Sequence, residues 1–221
     1  MNIPLTLRIL GALLIFLAVA LLLPLPFSFY FEDGMAVHFF LSSLLSLVVG
    51  MFLLKAFDSE KELSIRDGFA VVTFSWLFYA AFGALPYLLS GTVSSPTDAF
   101  FETMSGFTTT GATILTKIEG MPESILLWRA LTHWMGGMGI IVLSLAILPM
   151  LGVGGMQLFQ AEVPGPTADR LKPRIQDTAK LLWGVYILLT AMEALLLMVG
   201  GMNLYEALCH AFATLATGGF S

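Results

Sequence analysis

The chain has a single cysteine, Cys209, in 221 residues, so no intrachain disulfide can form and the redox compartment is unreadable from cysteine usage. Charge is scarce as well. Only 11% of residues are Asp, Glu, Lys or Arg, too few to solvate a globular surface or to keep a chain disordered. With 57% hydrophobic residues and a mean hydropathy of +0.89, a water-soluble domain is excluded and a lipid bilayer becomes the expected solvent. The acidic balance of 15 carboxylates against 10 cations therefore says little about partners, and no basic cluster points to nucleic acid. A cleavable signal peptide is not expected either. Arg8 precedes an apolar run, but the run continues to about Phe31 without a small-residue cleavage site, which predicts a retained helix.

What is present is a set of long apolar stretches. A bilayer span needs about 20 apolar residues. The stretches that meet this are Ile9–Phe31, Met35–Phe57, Gly68–Ser90, Ser124–Met150 and Leu181–Met202. Two further segments, Ser95–Phe107 and Asn203–Leu215, are too short to span and too apolar for solvent loops. Their length predicts re-entrant helices, which membranes tolerate where the irregular end is buried in protein or lines a wet cavity. If each long stretch crosses and each short one returns to its own side, Arg8, Lys55, Lys61, Arg66, Arg170, Lys172, Arg174 and Lys180 share one side. Only Lys117 and Arg129 fall on the other. The positive-inside bias then places the N-terminus, the 55–67 loop and the 152–180 loop in the cytoplasm and both short helices at the outer face.

The two short segments are one device written twice. A shift of 108 residues, from Ser95 to Asn203, also carries Ala99 onto Ala207, Thr109 onto Thr217 and Gly111 onto Gly219. Ser95-Pro96-Thr97-Asp98 is a capped helix start with proline in the first turn, and Asn203-Leu204-Tyr205-Glu206 is its counterpart with Asn as cap. Each helix runs into a Thr/Gly-rich segment, Thr108-Thr109-Thr110-Gly111-Ala112-Thr113 and Ala216-Thr217-Gly218-Gly219-Phe220-Ser221. A cation entering a bilayer must exchange hydration water for oxygen ligands. Backbone carbonyls, with threonine hydroxyls beside them, supply these. Glycine is expected where the segment needs an unusual φ, and each short helix directs the negative end of its dipole at the segment. Glu32, Asp33, Asp98, Glu119 and Glu123 would make the outer loops acidic and raise the local cation concentration.

Asp98-Ala99-Phe100-Phe101-Glu102 through Thr108–Thr113 resembles the first pore loop of the TrkH/KtrB potassium transporters. The stretches from Trp134 to Val142 (WMGGMGIIV), from Ile147 to Leu158 (ILPMLGVGGMQL) and from Glu162 to Pro166 (EVPGP) resemble the same family. The two helices ahead of the first pore loop are similar to the extra N-terminal hairpin of the TrkH branch. The resemblance implies an all-α membrane protein of K⁺-channel-like helix–pore-loop–helix repeats, four around one axis in a complete family chain. On it the chain divides into an N-terminal hairpin (1–66), a first complete repeat (67–155), a cytoplasmic loop (156–175) and the start of a second repeat (176–221). It implies potassium uptake across the bacterial inner membrane, with no tightly bound cofactor and no enzymatic activity. The filter residues would be Thr108, Thr109, Thr110, Gly111, Ala112, Thr217, Gly218, Gly219 and Phe220, with K⁺ at Thr109, Thr110, Thr217 and Gly218. A homodimer and a cytoplasmic TrkA-like nucleotide-binding ring are the implied partners, besides the ion and the lipid. In related plant transporters serine at the first filter glycine goes with sodium preference, so Gly111 suggests potassium. Only part of the family pattern is here, and the chain is expected to be an N-terminal fragment that closes no filter alone. A secondary carrier with broken helices at midplane and a non-conducting truncated product are the rival readings.

Ionisable residues at membrane depth are functional candidates. Glu102 and His210 occupy equivalent repeat positions and are expected behind the filter, holding it by hydrogen bonds, and a Glu102–Arg129 pair is within reach. Glu193 would pair with the hairpin or lie at a dimer contact. Gly136, Gly137 and Gly139 read as close packing or as a hinge, with packing favoured. The loop Gly152–Gln176 reads as a regulator-docking site or as plain positive-inside bias. Ser105-Gly106 with His133 or His210 invites a serine-hydrolase reading, but no nucleophile signature surrounds it. The 12 methionines read as lipid-compatible packing residues.

Overall fold

A computed structural model describes residues 2–57, 65–147 and 171–220. The expectations placed on 58–64 and 148–170, including most of the Ile147–Leu158 string, the Glu162–Pro166 string and much of the 152–180 loop, lie outside the described residues, as does Ser221. All regular structure among the described residues is helical.

The first apolar stretch is not one helix. α1 (Ile3–Ala20) starts under the side chain of Asn2, which accepts from the Leu5 N–H, and is followed by α2 (Leu25–Phe31). Pro24 and Pro26 offer no N–H to a continuous ladder. Bonds of the tighter i→i−3 kind from Leu22, Leu23 and Leu25 carry the chain across the break. α3 (Ala36–Ala56) returns along α1. Their backbones meet at two glycines. A Cβ on Gly11 would lie 2.7 Å from the Gly50 carbonyl oxygen, and one on Gly50 would lie 2.8 Å from that of Gly11. Small residues permit such a crossing, and about two turns further along Ser43 Oγ donates to the Ala18 carbonyl at 2.7 Å.

The next stretch is broken in the same way, into α4 (Ile65–Gly83) and α5 (Leu85–Ser90), where Pro86 interrupts the ladder. The Gly83 carbonyl accepts instead from Trp128 Nε1 at 2.9 Å. Trp128 belongs to α7 (Glu123–Ile147), which runs unbroken through its glycines. Between α4 and α7 sits the short α6 (Pro96–Phe107), with Phe107 against Tyr79 and Trp128. α8 (Leu171–Val199) begins inside the 156–175 segment expected as loop, and α9 (Leu204–Leu215) follows it. Trp134 of α7 ties these together. It packs on Phe212 and Tyr186, and its Nε1 donates to Thr190 Oγ1 at 3.0 Å.

Contacts between distant residues define two faces. Near one, the Asn2 N–H donates to Asp67 Oδ1 at 2.6 Å, which puts the chain start beside the start of α4. At the other, Asp33 of the hairpin turn binds Ser124 at the start of α7, and Tyr205 at the start of α9 donates to the Glu123 carbonyl at 2.8 Å. Tyr205 also packs on Phe27 and Phe31. α9 therefore starts at the same face as α7, and the chain between α6 and α7 returns there. Four helical stretches, Ile3–Phe31, Ala36–Ala56, Arg66–Ser90 and Thr178–Val199, are long and apolar enough to cross a bilayer, and the 25 residues of α7 reach roughly 37 Å. The 12-residue α6 and α9 reach only about 18 Å and cannot span.

Candidate ion-coordination site

Both short helices open with the predicted caps. Ser95 Oγ accepts from the Asp98 N–H at 3.3 Å, and Asn203 Oδ1 accepts from the Glu206 N–H at 2.8 Å. They also close identically. After α6, the N–H of Thr109 donates to Gly106 and that of Thr110 to Ser105, both at 3.0 Å. After α9, the N–H of Thr217 donates to Thr214 at 2.8 Å and that of Gly218 to Ala213 at 3.0 Å. This crossed pair of bonds is the Schellman closure, whose first residue past the cap adopts left-handed backbone and is usually glycine. Here it is threonine twice, at φ 54° for Thr109 and 55° for Thr217. A β-branched residue in that region costs about 1–3 kcal/mol and persists only where its surroundings impose it. Two residues on, Gly111 (φ 74°) and Gly219 (φ 85°) are left-handed again, as expected of the glycines. Thr110 and Gly218 between them are not.

The alternation sets what the segments offer. Reversing handedness at every second residue turns successive carbonyls towards one side instead of alternating them as a strand would. Among the described residues no donor reaches the carbonyl oxygens of Thr108 to Ala112 or of Ala216 to Phe220. Two short rows of unbonded carbonyls therefore lie at the negative ends of two helix dipoles. The Thr108 and Thr110 hydroxyls bond each other at 2.8 Å, and Thr110, Ala112, Thr217 and Gly219 are exposed. The rows touch, because a Cβ on Gly111 would overlap the Gly218 carbonyl oxygen. Gly219 has open space where its Cβ would stand.

Behind the first segment Glu102 is fully buried. It accepts from Thr113 Oγ1 at 2.9 and 3.0 Å and from the Ile114 N–H at 3.0 Å, and it pairs with Arg129 Nε at 2.6 Å. A buried carboxylate is sustainable when its lone pairs are filled in this way. His210 is half-buried and lines a cavity with Glu119, Glu123, Tyr205 and Glu206. Its side chain holds no hydrogen bond among the described residues. Glu193, half-buried on α8, pairs with nothing among the described residues.

The glycines of α7 pack. A Cβ on Gly136 would overlap the Phe107 carbonyl, one on Gly137 would reach Tyr186 Oη at 2.7 Å, and one on Gly139 would stand 3.5 Å from Trp76. Among the described residues, Ser105 Oγ and both ring nitrogens of His133 are buried without partners, so they form no nucleophile–base pair. Three features escaped the sequence. Phe220 is buried against the first repeat, its ring 4.0 Å from that of His133 and 3.5 Å from Arg129 Cζ. The two threonines are left-handed. Asp33, expected among the acidic outer-loop residues, is also a clasp. Burial pushes its carboxyl up, but hydrogen bonds from the Ser124 and Ser28 hydroxyls and the Ser124 and Met35 N–H groups outweigh this and hold it below the ordinary aspartate value.

The family described as TrkH, cation transport protein, matches residues 36–221. The Trk system potassium uptake protein TrkH of Halomonas elongata is 47% identical over 226 residues, covering 100% of this chain and 46% of that protein. Its namesake in Escherichia coli K12 is 46% identical over 217 residues, covering 97% and 45%. The crystal structure of the potassium transporter TrkH from Vibrio parahaemolyticus superposes with a TM-score of 0.87 at 38% identity, covering 100% of this chain and 44% of that one. The chain thus spans about half the length of the relatives it matches.

Proposed function

Since the chain belongs to the TrkH cation transport family, we propose that it supplies the first half of the pore of a potassium uptake protein, with Thr108–Ala112 and Thr217–Phe220 as two of the walls of its selectivity filter. K⁺ would be held by the carbonyls of Thr109, Thr110, Thr217 and Gly218, backed by Glu102, Arg129 and, in the second repeat, His210. The observation that carries this is the twin closure: two short helices from one face, 108 residues apart, each ending in left-handed Thr, then left-handed Gly, with free carbonyls between. Such rows replace a cation's hydration shell without a reacting group. An inverted-repeat carrier is not favoured, because both short helices run inward from the same face.

The reading extends to the rest of the expectations. The hairpin (1–66) buttresses a first repeat (67–155), and residues 176–221 begin the second after a loop at 156–175. Arg8, Lys55, Arg66 and Lys180 face the cytoplasm, which places the N-terminus inside and the short helices outside in a bacterial inner membrane. A homodimer and a cytoplasmic nucleotide-binding ring complete the assembly. The test is ion uptake by the full-length protein in cells lacking other potassium uptake. K⁺ or Rb⁺ entry well above Na⁺ entry is expected, and Gly111→Ser should lower that discrimination. At φ 74° any Cβ is strained, and here it meets the Gly218 carbonyl. Unchanged discrimination in this variant would sink the assignment.

A further inference from the structure

We propose that Arg129 is a positioning residue that locks the second candidate filter segment to the first by gripping Phe220, an inference that rests on the pore reading above. Phe220 belongs to the second segment, yet its buried ring packs on the first repeat. It stacks on His133 at 4.0 Å and 16°, lies 3.5 Å from Arg129 Cζ, and leaves room for no more than ordinary contact beside Gly106. The position equivalent to Phe220 in the first segment is Ala112, small and exposed, so the anchor is not a feature of the repeat but of this junction. Arg129 is 3% exposed, and its Nε holds Glu102, which in turn holds Thr113 and Ile114 at the far end of the first segment. One guanidinium therefore fixes the outgoing end of one carbonyl row and the outgoing end of the other.

A second contact holds the middle of the second row. Gly218 lies so close to the His133 ring that a Cβ there would overlap it, and Gly111 lies against the Gly218 carbonyl. The second row is thus held at Gly218 and Phe220 by residues of α7, and the first at its outgoing end by Glu102 of α6. A planar guanidinium suits this task because its edge serves the carboxylate while its face serves the ring, which an ammonium cannot reproduce. Coordination by carbonyls from separate segments demands placement within about 0.5 Å. Loosening Phe220 should therefore show in ion discrimination before it shows in assembly.

The experiment is a double-mutant cycle in the full-length protein, reading the Rb⁺-to-Na⁺ uptake ratio. Phe220→Leu should lower the ratio by about tenfold, the scale of one desolvated cation–π contact, while Phe220→Tyr, which keeps the ring, should preserve it. Glu102→Gln should lower it too. The double variant should lose no more than the worse single variant, because both act through Arg129. If Phe220→Leu fails to accumulate in the membrane, Arg129→Lys carries the same expectation, since it keeps the charge and removes the plane. An unchanged ratio in these variants, or losses that multiply in the double variant, would overturn the inference and leave the pore reading standing. A wild-type protein that takes up neither ion would overturn both.

Discussion

At Thr109 and Thr217 a β-branched residue occupies backbone that normally selects glycine. No composition rule points there. Threonine in a polar run reads as a hydroxyl donor or an extended residue, and only the closing hydrogen bonds to Gly106 and Thr214 reveal why it is left-handed. Gly111 and Gly219 were legible, because glycine beside threonine in a short segment has few other purposes. Phe220 was not, since its partners lie 91 and 87 positions earlier, at Arg129 and His133. Asp33 carries a prediction at this scale. Its carboxyl is held below the ordinary value, so its clasp on Ser28 and Ser124 stabilises the fold above pH 3.8 and is lost as pH falls through its lowered folded-state value. Asp33→Asn should therefore melt earlier than wild type at neutral pH in detergent, with the gap closing under acid. A gap that does not vary with pH would contradict the clasp.

Among the elements, the short helices depend most on their ends. A 12-residue helix is marginal by itself, so each cap counts. Ser95→Ala and Asn203→Ala should each cost about 1 kcal/mol, read as a fall in melting temperature, with little effect when both Ser95 and Asn203 are exchanged for Asp. The long helix α7 sets a sharper contrast. Gly136→Ala places a methyl into the Phe107 carbonyl and should cost about 1–3 kcal/mol or prevent assembly. Gly184→Ala, in open space on α8, should be neutral or stabilising by up to about 1 kcal/mol. Equal effects would mean that α6 and α7 are not in contact at Gly136. The hydrophobic runs disclosed where helices lie but not where they break. Pro24, Pro26 and Pro86 sit inside apolar stretches whose hydropathy passes over them, and the breaks at Leu21–Pro24 and Ala84 follow from missing N–H groups rather than from polarity.

For the molecule as a whole, the repeat was the most legible feature. Cap, helix length, threonine and glycine recur at one spacing, and the fold places them as equivalents. What the repeat could not disclose is its asymmetry. Glu102 is buried and fully bonded while His210 is half-buried with no side-chain hydrogen bond among the described residues, a Cβ on Gly111 would be blocked where one on Gly219 has space, and Ala112 is exposed where Phe220 is anchored. Each difference follows from which neighbours stand beside the two segments, and neighbours are a property of the assembly. The chain spans about half the length of the relatives it matches, and the proposed filter calls for further walls beside these two. The most direct measurement is therefore the structure of the full-length protein with Rb⁺ or Tl⁺ in place of K⁺, read for anomalous density. The account predicts ion peaks at direct coordination distance from the carbonyls of Thr109, Thr110, Thr217 and Gly218. Ions bound elsewhere along the axis, with these carbonyls turned away or occupied by protein donors, would contradict it.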